Sequence, residues 1–171
     1  GGRDWSSDVC SSDLDAPVAL NDTTDTPEDQ PVEIDVLAND SDIDSAAPAI
    51  ESIGTPNQGT VEQLGSGSLR YTPPANFFGD VSFDYVVYSA SLKDTASVLI
   101  RVASVNDVPL ANDDEIETNE DQIIDVNILA NDSDVETVDL TISELTTPGK
   151  GSVAVVGRNV RYTPTENAFG S

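Results

Sequence analysis

The chain says the same thing twice. Leu37-Ala38-Asn39-Asp40-Ser41-Asp42 returns as Leu129-Ala130-Asn131-Asp132-Ser133-Asp134, and Arg70-Tyr71-Thr72-Pro73 returns as Arg161-Tyr162-Thr163-Pro164. The offsets are 92 and 91 residues, so the duplicated unit is a whole small domain rather than one turn of a solenoid. Whatever these 171 residues fold into must be built from two equivalent units in tandem, each with a modest core.

Within the unit the apolar residues recur every second position. Val32, Ile34 and Val36 alternate with Glu33 and Asp35, and Ile124, Val126 and Ile128 alternate with Asp125 and Asn127 at the equivalent place. This is the period of a strand with one wet face. Each strand runs into Asn-Asp-Ser-Asp, whose side chains favour turns. A short strand is expected near Ile50–Ile53, and at Leu140–Leu145 in copy two. Thr60-Val61 and Ser68–Tyr71 flank Gly65-Ser66-Gly67 as a hairpin, with glycine supplying the positive φ of the turn. Ser152–Val156 and Val160–Tyr162 repeat it around Gly157-Arg158-Asn159. Two further strands, 82–88 and 95–102, close copy one, and Tyr71, Phe78, Phe83 and Tyr85 are expected in its core. No segment carries a 3.6-residue apolar stripe.

About seven short strands per unit predict an all-β fold: two tandem immunoglobulin-like β-sandwiches. Ser171 aligns with Asp80, so the second sandwich is expected to stop before its last two strands. It should then expose strand edges and part of its core and be unstable by itself.

Charge narrows the partners. Thirty-two Asp and Glu stand against seven Lys and Arg, with no His, a net charge of −25. Such a surface repels nucleic acid and anionic lipid and attracts cations. No run of eighteen apolar residues is present, so membrane insertion is not expected. Catalysis is not expected either: His is absent, Gly-x-Ser-x-Gly does not occur, and Cys10 has no imidazole to activate it. Asp40, Asp42, Asp44 and Glu51 mimic the spacing of an EF-hand loop, but Ser45 stands where that loop needs glycine and strands flank it. Asn39-Asp40-Ser41 fits a glycosylation sequon, a motif too short to carry weight.

The N-terminus stands apart. Asp4-Trp5-Ser6-Ser7-Asp8-Val9-Cys10-Ser11-Ser12-Asp13-Leu14 resembles the translation of a short-read sequencing adapter, so residues 1–14 are read as a non-native, disordered segment outside the fold. The organisation that follows is 15–107 for the first repeat and 108–171 for the partial second.

Taken in order, Ala-Asn-Asp, Glu-Asp, Val-Leu-Ala-Asn-Asp-Ser-Asp, Tyr-Thr-Pro, Phe-Gly-Asp-x-Ser-Phe-x-Tyr and an Asn-Asp-x-Pro linker resemble the cadherin-like tandem repeats of large bacterial surface adhesins. The likeness covers 15–171. It implies an extracellular or cell-surface sandwich that binds Ca2+ at the joints between repeats and serves in adhesion or spacing. Its partners would be neighbouring repeats of the same chain, with surface glycans or matrix proteins beyond them. Carried over residue by residue, the resemblance makes Asn106 and Asp107 linker ligands, Asp132 and Asp134 loop ligands of the following domain, and Glu28 and Glu120 early glutamates facing a joint. Asp40 and Asp42 would face a preceding joint, and Asp80 is a further candidate. The family continues its acidic loop as Asp-Gly-Asp; here Asp44-Ser45-Ala46 and Glu136-Thr137-Val138 stand instead. Calcium suits such a set, since it takes about six to eight hard oxygens. The same sandwich also serves as a non-catalytic spacer in secreted multidomain enzymes, so the sequence leaves adhesin and spacer both open.

Overall fold

The structure, a computed structural model, describes residues 14–44 and 48–170. The adapter-like segment therefore lies outside the described residues save for Leu14, as do Ser45 and Ala46 of the first acidic loop. The chain divides into two compact units between Val105 and Asn106. The described residues form strands and loops only. No helix among them is long and apolar enough to cross a membrane.

The described residues of unit 1 form seven strands: β1 (Asp22–Pro27), β2 (Val32–Asp35), β3 (Ala49–Ile53), β4 (Thr60–Gln63), β5 (Ser68–Thr72), β6 (Gly79–Ser89) and β7 (Leu92–Ala103). They form a four-stranded sheet in the order β1-β7-β6-β3 and a three-stranded sheet in the order β2-β5-β4. Every pairing is antiparallel except β1 against β7. The long β6–β7 hairpin organises the larger sheet, with eleven residues in register from Gly79↔Val102 to Ser89↔Leu92. Its alternation is strict. Val81, Phe83, Tyr85 and Val87 of β6 and Ala96, Val98, Ile100 and Val102 of β7 face inward and meet Ile34, Val36, Leu69 and Tyr71. This inter-sheet layer is the core of an immunoglobulin-like sandwich.

Unit 2 contains β8 (Ile124–Val126), β9 (Gly151–Val156) and β10 (Asn159–Pro164), paired in the order β8-β10-β9. They repeat the β2-β5-β4 sheet of unit 1. Fine details repeat as well. Isolated bridges join Val18 to Ser41 and Leu110 to Ser133. Asp29 and Asp121 both adopt φ of 60°, and their carboxylates take the N–H groups of Asn76 and Asn167. Among the described hydrophobic residues of unit 2, only Val160 is buried.

Three expectations are corrected. Residues 140–145 form no strand, because their unit 1 counterpart, β3, is held by β6 and unit 2 has no such strand to pair with. Gly65 and Gly67 do not adopt positive φ. The turn from Gln63 to Ser68 is long enough to close with ordinary backbone, through Leu64 N–H donating to Ser68 O at 2.9 Å. The two-residue loop between β9 and β10 does need it, and Gly157 has φ of 67°. Finally, Phe78 is 47% exposed. Its neighbour Phe77 packs against the core instead, sharing the parity of the inward-facing β6 residues.

Candidate cation-binding carboxylates

Glu28 follows β1 and is 4% exposed. Its N–H donates to Ala103 O at 2.8 Å, and its Oε1 accepts the Val105 N–H at 2.5 Å. Its Oε2 is buried with no hydrogen-bond donor. A buried carboxylate oxygen without a donor is costly unless a cation meets it, so the donor chemistry here fits a hard metal ion. The side chain is fixed by the end of β7, immediately ahead of Asn106 and Asp107. In that linker, Asn106 Nδ2 donates to Asp107 O at 2.8 Å.

Unit 2 arranges its own acids around the loop after β8. The Asp107 N–H donates to Glu136 Oε2 at 3.0 Å, leaving Glu136 Oε1 buried without a donor. Asp134 Oδ1 accepts the N–H groups of Glu136 and Thr137 at 3.2 and 2.6 Å. Asp132 Oδ1 accepts the Asn112 N–H at 2.8 Å. Unit 1 reproduces this pattern. Asp15 N–H donates to Asp44 Oδ2 at 2.6 Å, Asp44 N–H to Asp42 Oδ1 at 2.8 Å and Leu20 N–H to Asp40 Oδ1 at 2.8 Å. Asp42 Oδ2 is buried without a donor.

Asp40 has a second duty. The buried Tyr85 hydroxyl donates into a ring of acceptors: Leu20 O at 3.1 Å, Val36 O and Asp22 Oδ2 at 3.0 Å, and the Asp40 carboxylate at 3.1 and 3.3 Å. Burial pushes the Asp22 carboxyl above its ordinary range, opposed by the Tyr85 hydroxyl and reinforced by Asp40. Burial likewise raises the Tyr85 phenol, with Asp22 and Asp40 adding to it. This knot ties β6 to the acidic turn and holds the turn in shape.

The structure thus brings Asp107 and Asp134 together with Glu136, and Asp42 with Asp15 and Asp44. It leaves Asp80 and Glu120 exposed; Asp80 stands on β6 opposite Arg101. Sequence reading passed over Glu136, Asp15 and Asp44. The repeat offset was the available signal, since it aligns Asp15 with Asp107 and Asp44 with Glu136.

The model of the bacterial Ig domain matches residues 14–101 and again 106–171. No curated protein sequence matches the chain. Among solved structures it is similar to the endo-fucoidan hydrolase MfFcnA9 of glycoside hydrolase family 107, at 16% identity and a TM-score of 0.40, covering 88% of this chain and 30% of that one. A second, MfFcnA4, matches at 15% identity and 0.40, covering 88% and 25%. The chain spans under a third of either hydrolase, and likeness at this level carries no inference about activity. Two family matches over both copies, on the sandwich of unit 1 and its repeated half in unit 2, make the chain a member of the bacterial Ig domain family, present as tandem domains.

Proposed function

We propose that the chain is a non-catalytic structural module of a secreted or cell-surface bacterial adhesin, in which Ca2+ taken up at the Asn106–Asp107 linker stiffens the run of repeats. One observation carries this reading: Glu28, buried at the end of unit 1, keeps one carboxylate oxygen with no donor. Glu28, Asn106 and Asp107 would hold the ion, with Asp134 and Glu136 supplying further oxygens. The ion would neutralise carboxylates that otherwise repel, and the protein's part is to desolvate and orient them. Asp40 and Asp42, and the equivalent Asp132, would shape their turns or serve a joint to another repeat. Neighbouring repeats are the first partners of such a module, and surface glycans or matrix proteins the eventual targets of the whole adhesin.

The test is thermal melting of the intact chain in about 10 mM Ca2+ and in chelator. Extracellular modules bind Ca2+ with Kd of about 10⁻⁴–10⁻³ M, so this concentration adds about 1.4–2.7 kcal/mol. In a domain of this size that is a rise of at least about 5 °C. Glu28→Gln should abolish most of the rise. A shift below about 1 °C in the unaltered chain rejects the ion.

A further inference from the structure

Tension along a run of linked domains enters a domain through its first ordered element and leaves through its last. In unit 1 the first and last strands are β1 and β7, and they lie side by side in parallel, in register from Asp22↔Val98 to Pro27↔Ala103. Pulling the chain from both sides therefore drags β1 towards its N-terminus and β7 towards its C-terminus. The two strands must slide past each other along their common axis, which loads every cross-strand bond at once. An antiparallel pair such as β6–β7, pulled apart at its open end, parts one rung at a time.

Bonds outside the ladder lengthen this seam at both ends. Ahead of β1, the Ala19 N–H donates to Asp94 Oδ2 at 2.9 Å, and the Ser97 N–H donates to Asn21 Oδ1 at 2.9 Å. After β1, the Glu28 N–H donates to Ala103 O at 2.8 Å, and the Val105 N–H donates to Glu28 Oε1 at 2.5 Å. The N–H groups of Ala19 and Thr95 hold the Asp94 carboxyl below its ordinary range, because they favour its charged form. The seam thus runs from Ala19 to Glu28 on one side and from Asp94 to Val105 on the other.

Parity shows how β1 is committed to it. The main-chain groups of successive strand residues point to opposite edges, and those of Glu28 point to β7. Asp22, Thr24 and Thr26 therefore point to β7 as well, whereas Thr23, Asp25 and Pro27 point to the free edge of the sheet. The proline, which has no N–H, stands where none is needed.

We infer that the β1–β7 seam is a shear-loaded clamp that makes unit 1 a force-bearing module. Tension along the chain meets the ladder before it reaches the core, and the core unfolds only after β1 has slid off β7. The clamp requires only that the chain be pulled through both sides of unit 1, so it rests on neither Ca2+ nor the adhesin reading.

Single-molecule force spectroscopy of the intact chain in chelator tests it, and its outcome is separate from that of the Ca2+ melting test. Handles on the two chain ends load the seam in shear. Handles on Asp80→Cys and Arg101→Cys, in a Cys10→Ser background, peel the β6–β7 pair from its open end. At equal loading rate the end-to-end force should exceed the peeling force about twofold or more. Its event is recognised by length, since freeing the residues from Ala19 to Val105 extends the chain by up to about 280–310 Å.

Thr24→Pro should lower the end-to-end force by about half. Thr23→Pro, with its N–H at the free edge, should leave that force within about a fifth. Leu69→Ala empties a fully buried site in the other sheet, yet it too should leave the force within about a fifth, since forced unfolding follows the barrier rather than equilibrium stability. Should Thr24→Pro leave unit 1 unfolded, Asp94→Ala, which removes the Ala19 tie, takes its place and should lower the force by about a quarter. Equal forces in the two geometries overturn the inference, as does a loss in Leu69→Ala or Thr23→Pro as large as that of the seam variant.

Discussion

Unit 1 and unit 2 carry the same motifs and do different things with them. Glu28 and Glu120 occupy equivalent positions after equivalent segments, yet Glu28 is 4% exposed and Glu120 lies in solvent. The difference is one hairpin. Where β7 is present, Ala103 O accepts the Glu28 N–H and the Val105 N–H donates to the Glu28 carboxylate; residues 106–170 hold no equivalent. The same hairpin decides whether 22–27 and 49–53 become strands. A strand needs a ladder partner for its N–H and C=O groups, and without one the backbone is satisfied by water in irregular conformations. Local sequence can favour extension, but pairing makes the strand.

The sharpest way to break this comparison is to convert unit 1 into unit 2. Deleting residues 79–103 should remove the core, melt β1 and β3, and abolish cooperative unfolding of unit 1 by circular dichroism. Retention of a cooperative transition would refute the claim that the hairpin makes the difference. A graded version contrasts core depth. Leu69→Ala, at a fully buried site, should destabilise by about 2–5 kcal/mol. Val155→Ala, at a site 50% exposed, should change stability by less than about 0.5 kcal/mol. Equal effects in denaturant titration would show that unit 2 is packed as tightly as unit 1.

Turn glycines separate what the copies share from what they do not. A Cβ on Gly59 would stand 2.4 Å from Thr72 O and 2.8 Å from the Tyr71 ring, and Gly151 meets Thr163 O and Tyr162 in the same way. Both have positive φ. Gly59→Ala should therefore cost about 1–3 kcal/mol. Gly65→Ala, with ordinary φ and open space around it, should be neutral or stabilising by up to about 1 kcal/mol.

The smallest effect concerns pH. Because the folded carboxyl of Asp22 is raised, its protonated form is the one the fold prefers. That contribution is fully present below the unfolded value and is lost as pH rises through the folded one. The melting temperature of the unaltered chain relative to Asp22→Asn should consequently be higher near pH 4 than at pH 7. A difference that runs the other way would mean the Tyr85 hydroxyl outweighs burial at this carboxylate.

Much of the architecture was legible in the residues. Alternation marked β2, β5, β6, β7 and β8, and the Asn-Asp-Ser-Asp turns repeat down to single hydrogen bonds. Phe78 misled because it was named without its neighbour: Phe77, one position earlier, is the one that packs against the core, and Phe78 is exposed. Leu140–Leu145 misled because its apolar residues suit a strand whose partner is missing. Glu136 escaped because it was read as a departure from the acidic loop, although the 92-residue offset equates it with Asp44, and Asp15 with Asp107.

The sequence alone determined that two equivalent β units stand in tandem, that they carry a large excess of negative charge, and where their acidic turns fall. Those properties depend on residue type and spacing, which are local. Tertiary structure decided which extended segments became strands, which tyrosine closed a knot of carboxylates, and which glutamate lost its solvent. Each of those depends on a partner far along the chain, and burial and pairing are properties of two segments together.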